Sequence, residues 1–251
     1  MLQLKKSLGQ HFLKDESVSQ RIVEVLKQRP LKNLLEVGPG GGALTRYLIL
    51  LKDVDLKCNE IDAEKVRFLE NTYPQLKNKI IHADILEAAP PFDDPFTVVG
   101  NFPYNISTQI VFRIMEWKSS VEVMVGMFQK EVAERIAAKE GSKIYGVTSV
   151  LVQAFFAVEY LFEVDEQAFN PPPKVKSAVI RMVPLEKPVN IKSEKALSLL
   201  VKTAFNQRRK TLRNAVRSLF TAEQLKDEIF NKRAEELSVQ QFAELTFSMN
   251  Q

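Results

Sequence analysis

The stretch Leu34-Leu35-Glu36-Val37-Gly38-Pro39-Gly40-Gly41-Gly42 joins a short apolar run directly to a cluster of glycines. The apolar run indicates a buried strand, and a helical pattern through Leu44, Leu48 and Leu51 follows the glycines. Glycines between a buried strand and a helix let the backbone approach a ligand closely, beside the free N–H groups at the helix start. The stretch therefore predicts a ligand-binding loop at the carboxyl end of a strand.

Strand-like runs alternate with helical patterns on both sides of this loop. An amphipathic helix is predicted over residues 15–27, and residues 157–164 and 177–183 are predicted to close the sheet. Further strands are predicted at residues 34–37, 55–59, 79–82, 96–100 and 121–125. This alternation predicts an α/β fold with a parallel, doubly wound sheet. From Pro184 and Pro188 onward the pattern is helical, so we predict a Rossmann-like domain over 1–185 and a small all-α domain over 186–251.

Two acids end the strands that follow the loop. Glu60 lies about 20 residues after the glycines, where a carboxylate can accept both ribose hydroxyls of a nucleoside cofactor. Asp84 ends the next strand and can accept from an adenine amine. The glycines alone would also suit a dinucleotide, but Glu36 inside the preceding strand favours S-adenosylmethionine, which has no pyrophosphate. An NAD-type dehydrogenase would need a catalytic acid or base, and His11 and His82 lie in no recognisable catalytic setting.

The tetrapeptide Asn101-Phe102-Pro103-Tyr104 follows the next strand, at the carboxyl edge of the sheet. An aromatic amine is a poor nucleophile, and two acceptors directed at its N–H groups stabilise the positive charge that develops during methylation. The side-chain oxygen of Asn101 and the carbonyl of Phe102 can be these acceptors, because Pro103 keeps the chain extended. Tyr104 offers a face on which a target base can stack. An Asn-x-Pro sequence can be an ordinary turn, but its position in a glycine-loop sheet favours catalysis.

Five motifs in order resemble the ribosomal RNA adenine dimethyltransferases of the KsgA type, and the resemblance covers nearly the whole chain. The motifs occupy residues 6–13, 36–42, 100–107, 169–178 and 204–213. The resemblance implies a class I methyltransferase that dimethylates N6 of two adjacent adenines near the 3′ end of 16S rRNA in the immature small subunit. Phe102 stands where Leu is more usual in the family, a change that should matter little if the residue contributes mainly its carbonyl.

The same resemblance implies roles for single residues. The implied cofactor contacts are His11, Leu13, Gly38, Glu60, Asp84, Ile85 and Asn101. His11 stands where many relatives have Asn. Tyr104 and Phe169 would enclose the target adenine, and with Asn101 and Phe102 they complete the implied catalytic set. From the residues alone, Phe169 would equally pass for a core aromatic.

Basic residues are concentrated near the end of the chain. The formal net charge is +4, and residues 186–251 hold 12 basic and 8 acidic side chains, so this quarter carries the whole surplus. Residues 197–220 contain six basic side chains and no acidic one. If they form one helix, about 100° per residue brings five cations into roughly one quadrant, opposite an apolar face. We predict that this stripe binds RNA phosphates. The five cations are Lys202, Arg209, Lys210, Arg213 and Arg217.

Two other functions are also compatible with the sequence. One is a large-subunit RNA methyltransferase, as in the related macrolide-resistance enzymes, and the other is a ribosome-assembly factor whose catalysis is secondary. The basic residues 208–210 favour the small-subunit branch through resemblance, and the complete tetrapeptide favours activity. DNA-adenine and protein-glutamine methyltransferases are less favoured, because Pro usually occupies the second position of their motif.

Composition predicts the setting of the protein. Cys58 is the single cysteine, so no internal disulfide can form. No apolar run approaches the roughly 20 residues that span a bilayer, and the first residues lack the long apolar stretch of a signal peptide. We expect a cytoplasmic monomer without a membrane partner and without a metal.

Overall fold

The computed structural model describes residues 12–250, which divide into two compact units. The first unit comprises the chain up to Ala133 together with Glu159–Pro184, and the second comprises Glu134–Val158 together with the chain from Leu185. The chain passes from the first unit to the second between Pro184 and Leu185, one residue before the boundary predicted after residue 185. The predicted boundary does not anticipate that residues 134–158 group with the C-terminal segment.

Nine strands and nine α-helices are found in residues 12–250. The strands are β1 (Phe12–Leu13), β2 (Asn33–Val37), β3 (Asp55–Glu60), β4 (Ile80–His82), β5 (Phe96–Asn101), β6 (Val121–Gln129), β7 (Phe156–Val164), β8 (Phe169–Asn170) and β9 (Ser177–Pro184). The helices are α1 (Glu16–Lys27), α2 (Thr45–Leu48), α3 (Ala63–Thr72), α4 (Ser107–Glu116), α5 (Lys130–Ala137), α6 (Val147–Gln153), α7 (Glu194–Asn206), α8 (Leu212–Ala215) and α9 (Val239–Ser248). The predicted alternation of strands and helices is confirmed.

One sheet organises the first unit, with seven strands in the order β4-β3-β2-β5-β6-β9-β7. The five strands from β4 to β6 run parallel, and β9 is antiparallel to β6. All five residues of β2 are buried, as expected for a central strand covered on both faces. Because the sheet order reverses at β2, the loops after β2 and β5 open on one crevice, the usual ligand site of such sheets.

A small antiparallel pair, β1 with β8, lies in the same unit and brings Leu13 opposite Phe169. Both side chains belong to a buried apolar cluster that also contains residues of α1, β2 and β6. The pairing joins segments more than 150 residues apart in the chain. It therefore fixes Phe169 in a position that no local pattern reveals.

Two elements of the first unit differ from their predicted lengths. The helix after the glycines is confined to Thr45–Leu48, and turn-type bonds such as Leu51 N–H to the Leu48 carbonyl (3.1 Å) replace its predicted last turn. Strand β6 continues to Gln129, four residues past its predicted end, through Gly126. Its pairing with β5 aligns Gly100 with Gly126, so the strand is continuous there.

The second unit is helical, as predicted for the C-terminal segment. Helix α7 packs against α6, α8 and α9. Phe205 forms aromatic contacts with Tyr145 (6.0 Å between ring centroids) and with Phe242 (5.9 Å). The prediction of one continuous helix over 197–220 is wrong, because α7 ends at Asn206 and α8 begins only at Leu212.

Candidate active site

The glycine loop after β2 has the conformation that its composition predicts. Gly38 and Gly40 have φ angles of +67° and +57°, a region that residues with a Cβ rarely adopt. The N–H of Gly38 donates to the carbonyl of Asn59 (2.9 Å), which ties the loop to the end of β3. The backbone of the loop therefore lies close to the space at the carboxyl ends of the strands.

Glu60 connects this loop to the next one. One carboxylate oxygen accepts from Gly40 N–H (3.1 Å), and the other accepts from Asp62 N–H (3.0 Å). The side chain is almost fully buried in the first unit. A carboxylate offers about four acceptor positions, so two remain for a ligand in this geometry.

Glu36 lies beneath the loop and has an unusual environment. Its side chain is buried, and one oxygen accepts from the Thr45 hydroxyl (2.7 Å) and from the Cys58 thiol (3.7 Å). Burial raises the pKa of Glu36 to about 7, and the neighbouring Glu60 charge adds to the shift while the two hydrogen bonds oppose it. Burial and the Glu36 charge also raise the pKa of the Cys58 thiol, which keeps the thiol protonated at neutral pH.

A cavity of ≈ 270 Å³ opens at the carboxyl ends of β2, β3 and β5, within the first unit. Its lining brings together most of the residues predicted to bind the cofactor or the amine. They are Leu13, Gly38, Glu60, Asp84, Ile85, Asn101, Phe102 and Tyr104. His11, also predicted at this site, lies outside the described residues.

The tetrapeptide that starts at Asn101 is held firmly at the rim of this cavity. Asn101 is the last residue of β5, and the Phe102 N–H donates to the Met127 carbonyl (3.2 Å). The Tyr104 hydroxyl is 2.5 Å from the hydroxyl of buried Ser177, and burial raises the pKa of Tyr104. The Tyr104 carbonyl accepts from Ser107 at the start of α4 (3.2 Å). These bonds fix the backbone that carries the predicted acceptors.

Phe169 is not brought to this cavity. Its side chain is fully buried in the apolar cluster of the first unit, and Phe169 is absent from the cavity lining found in residues 12–250. The core-aromatic alternative describes its position in this structure. A stacking role would require Phe169 to leave this position and stays a prediction.

Several residues of the site were not singled out from the sequence. Phe12, Asn59 and Lys65 also line the cavity, and Ser177 bonds to Tyr104. Ser177 is part of the motif at residues 169–178, which is the signal that could have suggested it. Lys65 carries no such signal, because its position on α3 looks like an ordinary surface lysine in the sequence.

The five predicted RNA-binding cations lie in the second unit and are all exposed. Lys202 belongs to α7, Arg213 to α8, and the others lie just before or after α8. The Arg213 guanidinium donates to the carbonyl of Leu225 (2.8 Å), so this side chain also has a structural partner. Since the helix is interrupted at residues 207–211, the five do not form the single helical stripe that was predicted. Their role in binding RNA stays a prediction.

No helix within residues 12–250 is long and apolar enough to cross a membrane. In the same part of the chain, no three His, Cys, Asp or Glu side chains are grouped as potential metal ligands.

The cavity suits a nucleoside cofactor that carries an amino-acid tail. The glycine cradle at Gly38 and Gly40 leaves room for such a tail, and the carboxylates of Glu60 and Asp84 lie further along the same lining. Apolar Ile85 provides a surface for an adenine ring. A parallel sheet of this order with these residues at its crevice defines an S-adenosylmethionine-dependent methyltransferase of class I.

Comparison with known proteins identifies the family. A sequence model of the family described as ribosomal RNA adenine dimethylase matches residues 1–251. The ribosomal RNA small subunit methyltransferase A of Cytophaga hutchinsonii is 50% identical over 246 residues, which cover 96% of this chain and 95% of that protein. The chain belongs to the ribosomal RNA adenine dimethylase family, which confirms the resemblance that the motifs indicated.

Two solved structures have the same fold. The 23S rRNA methyltransferase ErmE is 25% identical with a TM-score of 0.75, over 96% of this chain and 100% of that one. A dimethyladenosine transferase from Plasmodium falciparum is 24% identical with a TM-score of 0.78, over 95% of this chain and 99% of that one. These similarities confirm the predicted methyltransferase fold.

Proposed function

We propose that this chain transfers methyl groups from S-adenosylmethionine to the exocyclic N6 of two adjacent adenines near the 3′ end of 16S rRNA, giving dimethyladenosine. The observation that carries the proposal is the shared cavity, where Asn101 and Phe102 lie at one side and the glycine loop with Glu60 at the other. An amine held by the first pair lies beside a methyl donor held by the second. The cofactor supplies an activated methyl group, so no tuned general base is needed.

The roles of the side chains follow from what an aromatic amine requires. The Asn101 amide oxygen and the Phe102 carbonyl accept from the two N–H groups, which directs the nitrogen lone pair out of the ring plane. The Tyr104 ring, held through its hydroxyl by Ser177, offers a face for the extruded base. Glu60, Asp84 and Ile85 hold the ribose and adenine of the cofactor, and Leu13, Gly38 and His11 complete its contacts.

Two observations support the small-subunit RNA as the substrate. The relative from Cytophaga hutchinsonii, named for small-subunit RNA, is 50% identical, whereas the 23S rRNA methyltransferase ErmE is 25% identical. The exposed cations of the second unit are suited to RNA phosphates, and an RNA target near them would be recognised by shape plus one extruded base. We further propose that the protein acts in the cytoplasm, as a monomer, on immature small subunits.

The test is to incubate small subunits that lack dimethyladenosine with methyl-labelled S-adenosylmethionine and to map the labelled nucleotides. We expect dimethylation of two adjacent adenines by the wild type. Asn101→Ala should lower kcat by about 10²–10³-fold, the usual effect of losing one polar group that stabilises a developing charge. Asn71→Ala, which changes the same residue type at an exposed position on α3, should retain full activity. Label at another atom, or full activity of Asn101→Ala, would contradict the proposal.

A ribosome-assembly role separate from catalysis is decided by the same variant. In cells whose own copy is deleted, Asn101→Ala should leave the adenines unmodified. Normal subunit maturation in those cells would show that assembly does not depend on methyl transfer. Defective maturation would show that the two depend on each other.

A further inference from the structure

The side chain of Phe102 occupies a slot that two glycines leave open. Its ring is buried, with 1% of its surface exposed, and packs edge-on against Phe128 (5.1 Å between centroids, 63°). Gly100 and Gly126 face each other on the adjacent strands β5 and β6. A Cβ built on Gly100 would lie 2.5 Å from the Phe102 ring, and one built on Gly126 would meet the opposite edge of that ring even more closely.

Neither glycine is needed for its backbone conformation. The glycines with positive φ among the described residues are Gly38, Gly40, Gly42 and Gly141. Gly100 and Gly126 are ordinary strand residues in this respect, and glycine in a strand interior costs stability relative to a residue with a side chain. The room that they leave for the Phe102 ring is therefore the physical reason for glycine at both positions.

The slot determines where the backbone of Phe102 points. The ring is fixed between the two strands, the Phe102 N–H donates to Met127, and Pro103 restricts the following bond. Because both ends of the residue are held, the direction in which the Phe102 carbonyl points is fixed. A shift of the ring by a few tenths of an ångström would turn this carbonyl together with the adjacent Asn101.

We propose that Gly126 is a positioning residue for methyl transfer, matched in size to Phe102, and that this pair aims the Phe102 carbonyl at the target amine. The inference rests on the proposed function, and it assigns a role to the Phe102 side chain besides that of its carbonyl. Gly126 itself touches neither substrate nor cofactor. It acts by the space that it leaves, so any added atom at residue 126 competes with the ring at residue 102.

The two glycines differ in what surrounds them, and this difference provides a matched control. The three atoms nearest to a Cβ on Gly126 would all belong to side chains, those of Phe102, Phe128 (2.7 Å) and Met124 (2.9 Å). A Cβ on Gly100 would also lie 2.6 Å from the backbone carbonyl oxygen of Val37. A smaller residue at position 102 removes the closest contact of Gly126→Ala and leaves contacts with the Phe128 and Met124 side chains, which can shift. It leaves the contact of Gly100→Ala with the backbone of Val37 unchanged.

The experiment measures kcat, the KM for small subunits, and cofactor affinity by calorimetry for the wild type and variants. Gly126→Ala should lower kcat by about 10²-fold, the effect of a small misplacement at a reacting group. Its KM and cofactor affinity should stay within a factor of two or so, which a general loss of folding would not produce. Gly146→Ala adds a methyl where the nearest atom is 4.0 Å away and should change none of these quantities.

A second substitution at residue 102 distinguishes a positioning pair, in which the sizes of residues 102 and 126 are matched, from a general loss of packing caused by the added methyl group. Adding Phe102→Leu to Gly126→Ala should restore kcat to within about tenfold of the wild type, because volume-conserving changes in a core are tolerated. Adding it to Gly100→Ala should not. If Gly126→Ala does not fold, the double variant should still exceed Phe102→Leu alone in kcat, because the added methyl fills the void.

Unchanged kcat in Gly126→Ala, or a double variant no better than its single parents, would overturn the inference. Absence of adenine methylation by the wild type would instead refute the proposed function, whatever the variants do.

Discussion

Glu36 shows how one buried carboxyl group makes stability depend on pH. Its pKa is about 7 in the folded chain, against an ordinary value of 4.5. Below pH 4.5 the group is neutral in both states. As the pH rises toward 7, the unfolded chain releases this proton while the folded chain keeps it, so folding is progressively disfavoured. The effect is complete above the folded pKa and amounts to about 3 kcal/mol.

Replacing Glu36 by Gln should remove this pH dependence. Gln keeps an oxygen for the Thr45 hydroxyl and has no charge to bury. The free energy of unfolding of Glu36→Gln, relative to the wild type, should therefore be higher at pH 8 than at pH 5, by up to about 3 kcal/mol. Urea unfolding at the two pH values measures the difference. Glu122→Gln, at an exposed position on β6, should show no such change; an equal result for both variants would contradict the assignment.

Sequence reasoning located single residues well where the fold itself places them. Glu60 and Asn101 are the last residues of parallel strands and Asp84 follows another, and the carboxyl ends of such strands meet at one edge of a sheet. Their convergence on one cavity followed from the order of strands alone. The direction in which Phe169 points did not, because it depends on the pairing of β8 with β1 at the other end of the chain. Local composition carries no information on such a pairing.

At the scale of elements, the errors come from bonds between distant segments. Residues 197–220 contain neither Gly nor Pro, so their pattern predicted one helix. The structure interrupts that helix because Thr211 pairs with Arg233 in an isolated antiparallel bridge, and Leu212 N–H donates to the Lys232 carbonyl (2.7 Å). Strand β6 was predicted to end at residue 125, just before Gly126, because glycine weakens the interior of a strand. The sequence does not show that the space beside Gly126 is filled by the Phe102 ring.

The interruption between α7 and α8 changes which cations should be tested for RNA binding. Arg208 contacts Glu235 (3.6 Å) and Arg213 donates to Leu225, so both have structural partners. Arg209 and Lys210 are exposed, and within residues 12–250 neither side chain forms a hydrogen bond or an ion pair, although the Lys210 N–H donates to the Gln207 carbonyl (2.8 Å). Their charges are therefore available for phosphates, and removing them should not disturb the second unit.

Arg209→Gln combined with Lys210→Gln should weaken RNA binding and reduce its dependence on salt. The slope of log K against log salt is negative, and each phosphate contact that is lost should reduce its magnitude by about 0.7–0.9. The loss of two contacts should reduce the magnitude by up to about 1.8. Titration of the RNA at several salt concentrations measures the slope, and cofactor affinity should be unchanged. Lys226→Gln is the control, because Lys226 is exposed and already paired with Glu223 (2.6 Å). A slope equal to that of the wild type would rule out phosphate contacts from this pair.

On the scale of the whole molecule, the chain contributes to each compact unit twice. Residues 134–158 lie between two segments of the first unit in sequence but belong to the second. Within that unit, α6 buries Val150 and Val152, and Tyr145 packs on Phe205. The apolar residues of α6 do not by themselves indicate which core this helix joins. Helix α6 packs against α7 and α9, which come much later in the sequence.

A chain cut at the predicted boundary should consequently fold incompletely. A fragment of residues 1–185 retains α6 but lacks α7 and α9, so the buried face of α6 loses its apolar partners. Each large side chain left exposed costs about 1.5–3 kcal/mol, enough to unfold residues 134–158 while the sheet of the first unit persists. Limited proteolysis with mass spectrometry should find cleavage within 134–158 of the fragment and protection of the same residues in the full chain, with the sheet strands β2 and β5 protected in both. Equal protection of residues 134–158 in the two proteins would mean that this segment is stabilised without the C-terminal helices, contrary to the division of the chain described above.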